Sequence, residues 1–403
     1  MAAGEELDFK YATSYYYQKA NVYHPCTRGL IMARILILGG GVGGSIVANR
    51  LARKLRSSEA QITVIDPANR HVYQPGLLYL PFNKRDPQSI TRRMRRLLDR
   101  RIELIEGTVD SINVSAQSVS VGGDSISYDW LVLATGSQLL PESIPGFINA
   151  HHFYDMAHTA QLREAFRNFN GGRIVVGPAA DTYKCPAAPL EFMVLLDNYL
   201  RKRRLRDQTE LCYFSHLPEV FGANSIAQIM LSRFEKRGIQ TELNFKVKEI
   251  EASAIHSHEG ATLAFDIAVV VPPHGVAPAI SGAGLTPDGW VTADPYTLKV
   301  TGQENVFALG DVVALGRPKT GSVAHYQAPV VVDWLVAMIR RKGRVRLYDG
   351  HVLCLIETGK GRATKMNFAY AKDGSATRPS RFSHWMKSML NRLYWIAVPS
   401  GRL

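Results

Sequence analysis

The chain runs to 403 residues, 46% hydrophobic and 21% charged, with four cysteines and a net charge of +13. This balance excludes a disordered chain, so few cysteines exclude a secreted disulfide scaffold, and no run of about 18–20 apolar residues marks a membrane span. The length suits two or three domains, any membrane contact should be peripheral, and the basic charge, with no nucleic-acid-binding module beside it, suits an anionic membrane surface rather than nucleic acid.

Residues 1–31 are polar and tyrosine-rich and read as an extension without a core. They lack the basic, apolar and small-residue succession of a secretory signal, and Cys26 receives no role. The apolar run Ile35–Leu38 then leads directly into Gly39-Gly-Gly41-Val-Gly-Gly44. A helical pattern follows over 45–55, and a second strand over 61–65 ends at Asp66. Gly39 permits the tight turn, Gly41 a close backbone approach to a pyrophosphate, and Gly44 close helix–strand packing. Phosphates are attracted to the helix N-terminus, and Asp66 stands where a carboxylate can hold a ribose hydroxyl. The order strand, glycine turn, helix, strand and acid predicts a dinucleotide-binding unit.

Lys84 to Arg101 carries eight Lys or Arg, with Ile90, Met94, Leu97 and Leu98 at helical spacing. It reads as a surface helix with a packed stripe. Strands follow near 102–105, 110–114 and 118–121. The apolar strand of Tyr128–Gly136 closes on Ala134-Thr135-Gly136, and Asn305–Asp311 forms a second apolar strand ending in Gly310-Asp311. Between them, residues 147–280 read as a second strand–helix repeat: strands at 173–177, 209–214, 240–246 and 266–271, and helices at 190–204 and 224–238. At its first turn stands Gly177-Pro-Ala-Ala-Asp181-Thr182, followed by Tyr183-Lys184-Cys185-Pro-Ala-Ala-Pro-Leu-Glu191. No glycine beyond Gly177 remains there, and Asp181 would set a negative charge beside any phosphate. Strong NAD(P)H binding is not expected. Cys185 lies near a helix N-terminus, which favours a thiolate, and Lys184 adds positive charge. Cys212 lies inside an apolar strand and reads as a small buried hydrophobe. The stretch Phe382–Ile396 is amphipathic at helical spacing. Phe382, Trp385, Met386, Met389, Leu393 and Ile396 form its apolar side, and Lys387 and Arg392 its basic side, a pattern suited to an interfacial helix.

On these residues the chain resembles FAD-dependent enzymes with two dinucleotide-type domains. Within them it resembles the family of sulfide:quinone oxidoreductases and flavocytochrome c sulfide dehydrogenases. The carrying segments are Tyr183–Glu191, Tyr348–Lys360 with Cys354, and Pro318–Ala328 with Lys319. The resemblance implies an α/β fold of two Rossmann-like domains with a C-terminal amphipathic, membrane-associated region. The FAD domain is split between 32–146 and 281–335. A second Rossmann-like domain over 147–280 has a degenerate NAD site, and 336–403 carries Cys354 and the membrane and quinone helices. It implies FAD held by Gly39, Gly41, Gly44, Asp66, Thr135, Gly136, Gly310 and Asp311, with Lys319 and Lys360 nearby, and no metal. It further implies that Cys185 and Cys354 form the redox pair, with Glu191 as proton acceptor. Hydrosulfide would be the donor and a membrane quinone the acceptor, on a peripheral protein of the cell membrane touching lipid through 380–403. A homo-oligomer is compatible with this reading. Members with a third cysteine carry it near His151–His158, where this chain has none. The alternatives are a flavin subunit donating to a cytochrome, a type-II NADH:quinone dehydrogenase, and a non-catalytic FAD-bound adaptor.

Overall fold

A computed structural model describes residues 32–402; the extension 1–31, with Cys26, lies outside the described residues. Strand β1 (Ala33–Leu38) turns into helix α1 (Val42–Lys54), and the chain returns through β2 (Ala60–Asp66) and β3 (Ile102–Glu106) to β4 (Trp130–Leu133). Helix α2 (Met156–Asn168) leads to β5 (Gly172–Pro178), α3 (Ala188–Lys202), β6 (Thr209–Phe214), α4 (Asn224–Glu235), β7 (Ile239–Glu242) and β8 (Ile267–Val271). Strand β9 (Val306–Ala308) and helix α5 (Gly321–Arg340) precede the hairpin pair β10 (Val352–Gly359) and β11 (Arg362–Ala369), strand β12 (Lys372–Ala376) and helix α6 (Arg381–Ala397).

Two parallel sheets form the frame. The first runs β9-β4-β1-β2-β3 and the second β7-β6-β5-β8. Their strands are apolar runs because both faces are covered. In β1, Ile35 and Ile37 pack with Ile46, Val47 and Leu51 of α1 and Val331 and Leu335 of α5. Leu36 and Leu38 face the opposite cluster with Ile112 and Val119. The second sheet repeats this division, with Ile174 and Val176 on one side and Val175 on the other. Strand β9 reaches the first sheet from more than 170 positions downstream of β4, so that sheet closes only after the second has been threaded.

Helix α5 is long and apolar enough to cross a bilayer by composition. Its Val323, Ala328, Val330, Val331 and Leu335 are buried, however, in the cluster that contains α1. It is a core helix. The expected surface helix over 84–101 is absent: two short 3-10 turns, Pro87–Ile90 and Met94–Arg96, flank a strand pair of Thr91–Arg92 with His71–Val72. Pro87 lacks the N–H that a helix interior uses and so disfavours a continuous helix here, and Thr91 spends its backbone on the pairing with Val72. The apolar spacing still reports burial, since Ile90, Met94 and Leu98 are in the core. Strands β10, β11 and β12 make an antiparallel sheet, and α6 lies across β11 and β10.

Candidate functional site

The first turn is built around backbone. Gly39 has φ +95°, and a Cβ there would meet the Ala134 carbonyl oxygen at 2.5 Å. A Cβ on Gly44 would lie 1.8 Å from the Gly39 carbonyl oxygen, while one on Gly41 would meet nothing within 4 Å. The cradle is therefore closed on its inner side and open at Gly41, as a phosphate approach requires. Asp66 accepts from the Gly40 N–H at 2.7 Å and the Ala68 N–H at 3.1 Å, and burial pushes its carboxyl up. Thr135 Oγ1 and Gln327 Nε2 are buried without hydrogen-bond partners among the described residues. Gln327 Oε1 accepts from the Gly310 N–H at 2.7 Å and fixes that turn, where φ is +79°. Lys319 donates to the Asp311 carbonyl at 2.6 Å and the Val313 carbonyl at 3.1 Å. Burial lowers its ammonium to about 8 and raises the Asp311 carboxyl. Open cradle, ribose-side acid and unpartnered buried polar atoms together fit a dinucleotide such as FAD.

The second turn is different. Nine residues, 179–187, separate β5 from α3. Cys185 sits in the left-handed region at φ +53°, a strained choice for a residue with a side chain. Its N–H donates to the Lys319 carbonyl at 2.6 Å, and its own carbonyl accepts from Ala188 at 2.8 Å. The cysteine is thus clamped between the second sheet's turn and the loop before α5. Cys354 lies in β10, packed against both main clusters. Both are free thiols in the structure. Solvent reaches Cys185, yet enough protein surrounds the sulfur that desolvation pushes its pKa well up, with the Glu191 and Cys354 charges adding to the shift. Burial pushes the Cys354 thiol up to about 12, again with Glu191 adding and Lys387 opposing. Cys185 stands two residues ahead of the N-cap Ala187, so its sulfur is set back from the helix end, and burial favours the protonated thiol there. Cys212 is 2% exposed inside β6.

Glu191 and Lys387 are the structure's main addition. Glu191, in the first turn of α3, is 5% exposed. It accepts from the Glu357 N–H of β10 at 2.5 Å and forms an ion pair with Lys387 of α6. Lys387 also engages Tyr79 and the field of Glu357, and His384 Nδ1 lies 2.9 Å from Glu357. Lys387, on the basic side of the amphipathic stretch, points into the core, its side chain 11% exposed. Ser383, Lys387 and Tyr394, at i, i+4 and i+11, form the inner face of α6, and that spacing was the available signal. Tyr394 donates its hydroxyl to His71 Nε2 at 2.7 Å, while His71 Nδ1 donates to the Gly40 carbonyl at 3.0 Å. The nucleotide turn and the C-terminal helix are joined through one imidazole. Lys360 sits on the exposed turn between β10 and β11 at φ +53°. Among the histidines, His152, Asp155 and His158 bring ligand atoms within 4.8 Å of one another. The Tyr154 N–H aims at His152 Nδ1 at 3.3 Å, which puts the ring proton on Nε2, and we assign no metal there.

A family model described as pyridine nucleotide-disulphide oxidoreductase matches residues 33–179 and 203–328. The chain belongs to that family, and it is an FAD-dependent oxidoreductase. It is 26% identical to the mitochondrial sulfide:quinone oxidoreductase of Dictyostelium discoideum, over 92% of this chain and 87% of the relative. It is 24% identical to the mitochondrial protein of the same name from Mus musculus, over 91% and 86%. Among solved structures, the sulfide:quinone oxidoreductase of Aquifex aeolicus superposes with a TM-score of 0.83 at 21% identity, covering 92% of each chain.

Proposed function

We propose that the chain oxidises hydrosulfide and passes two electrons to a membrane quinone, using Cys185 and Cys354 as its redox pair. The observation that carries this reading is the second turn: a strained cysteine stands where a nicotinamide site would need glycines, and its charge is coupled to a second thiol on β10. In the oxidised pair, hydrosulfide sulfur bonds to one cysteine sulfur as the S–S bond breaks. One cysteine then carries the sulfane sulfur, and the other leaves with the electron pair as a thiolate. Bound FAD supplies two-electron acceptor chemistry, and Gly39, Gly41, Gly44, Asp66, Thr135, Gly136, Gly310, Asp311 and Lys319 are the residues that would hold it. Glu191 is a poor free base because Lys387 and the Glu357 N–H occupy it; we assign it, with Lys387, to setting the charge felt by both thiols. Lys360, on its exposed turn, is not assigned to the flavin.

The same reading assigns lipid contact to α6. Phe382 is 67% exposed, Trp385 57% and Ile396 63%, and aromatic rings beside cations suit the bilayer interface. Purified protein given sulfide and a soluble quinone should bleach and reoxidise its flavin. Bleaching by NADH and not by sulfide would overturn the reading in favour of an NADH dehydrogenase.

A further inference from the structure

A cleft of about 290 Å³ opens beside α6. It is walled by the segment 79–85, the C-terminal half of α3, the turn between β10 and β11, and one side of α6. Lys84, Arg85, Lys360 and Arg392 contribute four cations, against the single carboxylate of Glu357. Glu357 is already engaged by His384 and by the field of Lys387. None of the four cations has a carboxylate within ion-pairing distance among the described residues, and Arg85 lies only over the Tyr73 ring. Burial lowers the Lys84 pKa, with the Lys202 charge adding and the Glu357 charge opposing. The cleft therefore holds an excess of positive charge, four cations against one carboxylate, in a concave, partly desolvated place, where an anion is worth more than on open surface.

Its position on α6 identifies the anion. His384, Ser388, Asn391 and Arg392 line the cleft at i, i+4, i+7 and i+8. Phe382, Trp385, Leu393 and Ile396 occupy the neighbouring sector of the same helix, and all are exposed. Of the seven large hydrophobic residues exposed among the described residues, five lie on α6. Arg392 sits at the border between the two sectors. A ligand with an anionic head and apolar chains matches both at once, whereas a soluble phosphate would leave the apolar stripe uncovered.

Resting on the membrane reading above, we propose that this cleft binds the phosphate headgroup of an anionic phospholipid, with the acyl chains lying along the exposed stripe of α6. The test is flotation of the FAD-loaded full chain with vesicles of phosphatidylcholine alone and of phosphatidylcholine with phosphatidylglycerol. Wild type should bind the anionic vesicles at least about tenfold more tightly. Lys84→Gln/Arg392→Gln should bring that preference down to near unity and leave binding to neutral vesicles intact. Lys246→Gln/Lys248→Gln, remote from the cleft and equal in charge change, should keep the preference. Thermal unfolding and flavin content confirm that both variants fold. Equal loss in both double variants would mean diffuse attraction and overturn the site. Binding without headgroup preference would overturn the site alone, and no binding to any vesicle would overturn the membrane reading with it. Stabilisation of wild type, but not of the cleft variant, by soluble glycerol phosphate to the same degree as by anionic vesicles would assign the cleft to a soluble phosphate and overturn the lipid.

Discussion

The two strand-to-helix turns of this molecule share a scaffold and differ in what they leave accessible. In the first, three residues, 39–41, connect β1 to α1, and a Cβ at Gly41 would meet nothing. In the second, nine residues connect β5 to α3, and none of them is a glycine. The strand ends match, since a Cβ at Gly39 or at Gly177 would strike a carbonyl oxygen, at 2.5 and 2.3 Å; the turns differ in length and in the open glycine that only the first provides. The second turn's extra length carries Cys185 away from the helix end and into contact with the loop before α5. On the proposed reading, a nucleotide fold is turned to thiol chemistry without altering the sheet, because the turn decides whether backbone donors or a side chain face the ligand.

The largest expected effect separates Cys185 of the second turn and Cys354 of β10 from the rest. Cys185→Ser and Cys354→Ser should each lower sulfide-dependent quinone reduction by about 10³-fold or more, measured in steady state with flavin content unchanged. Retained turnover in both would break the contrast between the turns. Next comes the first turn: Gly44→Ala forces a Cβ onto the Gly39 carbonyl, and a loss of about 1–3 kcal/mol together with flavin is expected by thermal unfolding and absorbance. Of similar size, Lys387→Met leaves Glu191 buried and unpaired, at about 3–5 kcal/mol, and Glu191→Gln/Lys387→Met should recover much of it. A double variant no more stable than the single would show that Lys387 acts through packing alone.

A pH effect follows from His71. Burial lowers its imidazole to about 4 from 6.5, so the unfolded chain binds the extra proton first. Stability is full above about 6.5 and falls as pH drops towards 4, by on the order of 3 kcal/mol at most. His152 is also lowered to about 4, so His71→Gln should flatten only part of the slope in melting temperature between pH 6.5 and 4. The smallest effect is expected for Cys212→Ala: about 1 kcal/mol of stability and turnover within about twofold, read in the same assay.

Much of the frame was legible in residue types. Apolar runs bounded by glycine and acid marked β1, β2, β5 and β6, since strands covered on both faces need them. The site was legible only in part. Lys84–Arg101 has helical spacing, but the pairing of Thr91 with Val72 is a long-range choice that local pattern does not encode. Helix α2, capped by Asp155 through the His158 N–H at 2.8 Å, has few apolar positions, and its pattern does not stand out from the flanking loops. Periodicity told that Lys387 opposes the apolar stripe, but not that Glu191, 196 positions away, waits on that side. The left-handed backbone of Cys185 leaves no trace in composition.

The ion pair between Glu191 and Lys387 also orders events during synthesis. Domains fold as they emerge, the N-terminal part first, so the second sheet can form while α6 is still within the ribosome. Until residues 357 and 387 arrive, Glu191 has neither its backbone donor nor its countercharge. A product truncated ahead of α6 keeps Glu191 without Lys387, a loss of stability that raises the unfolded fraction proteases clear. The last helix thus completes a charge balance begun on α3, 196 positions earlier.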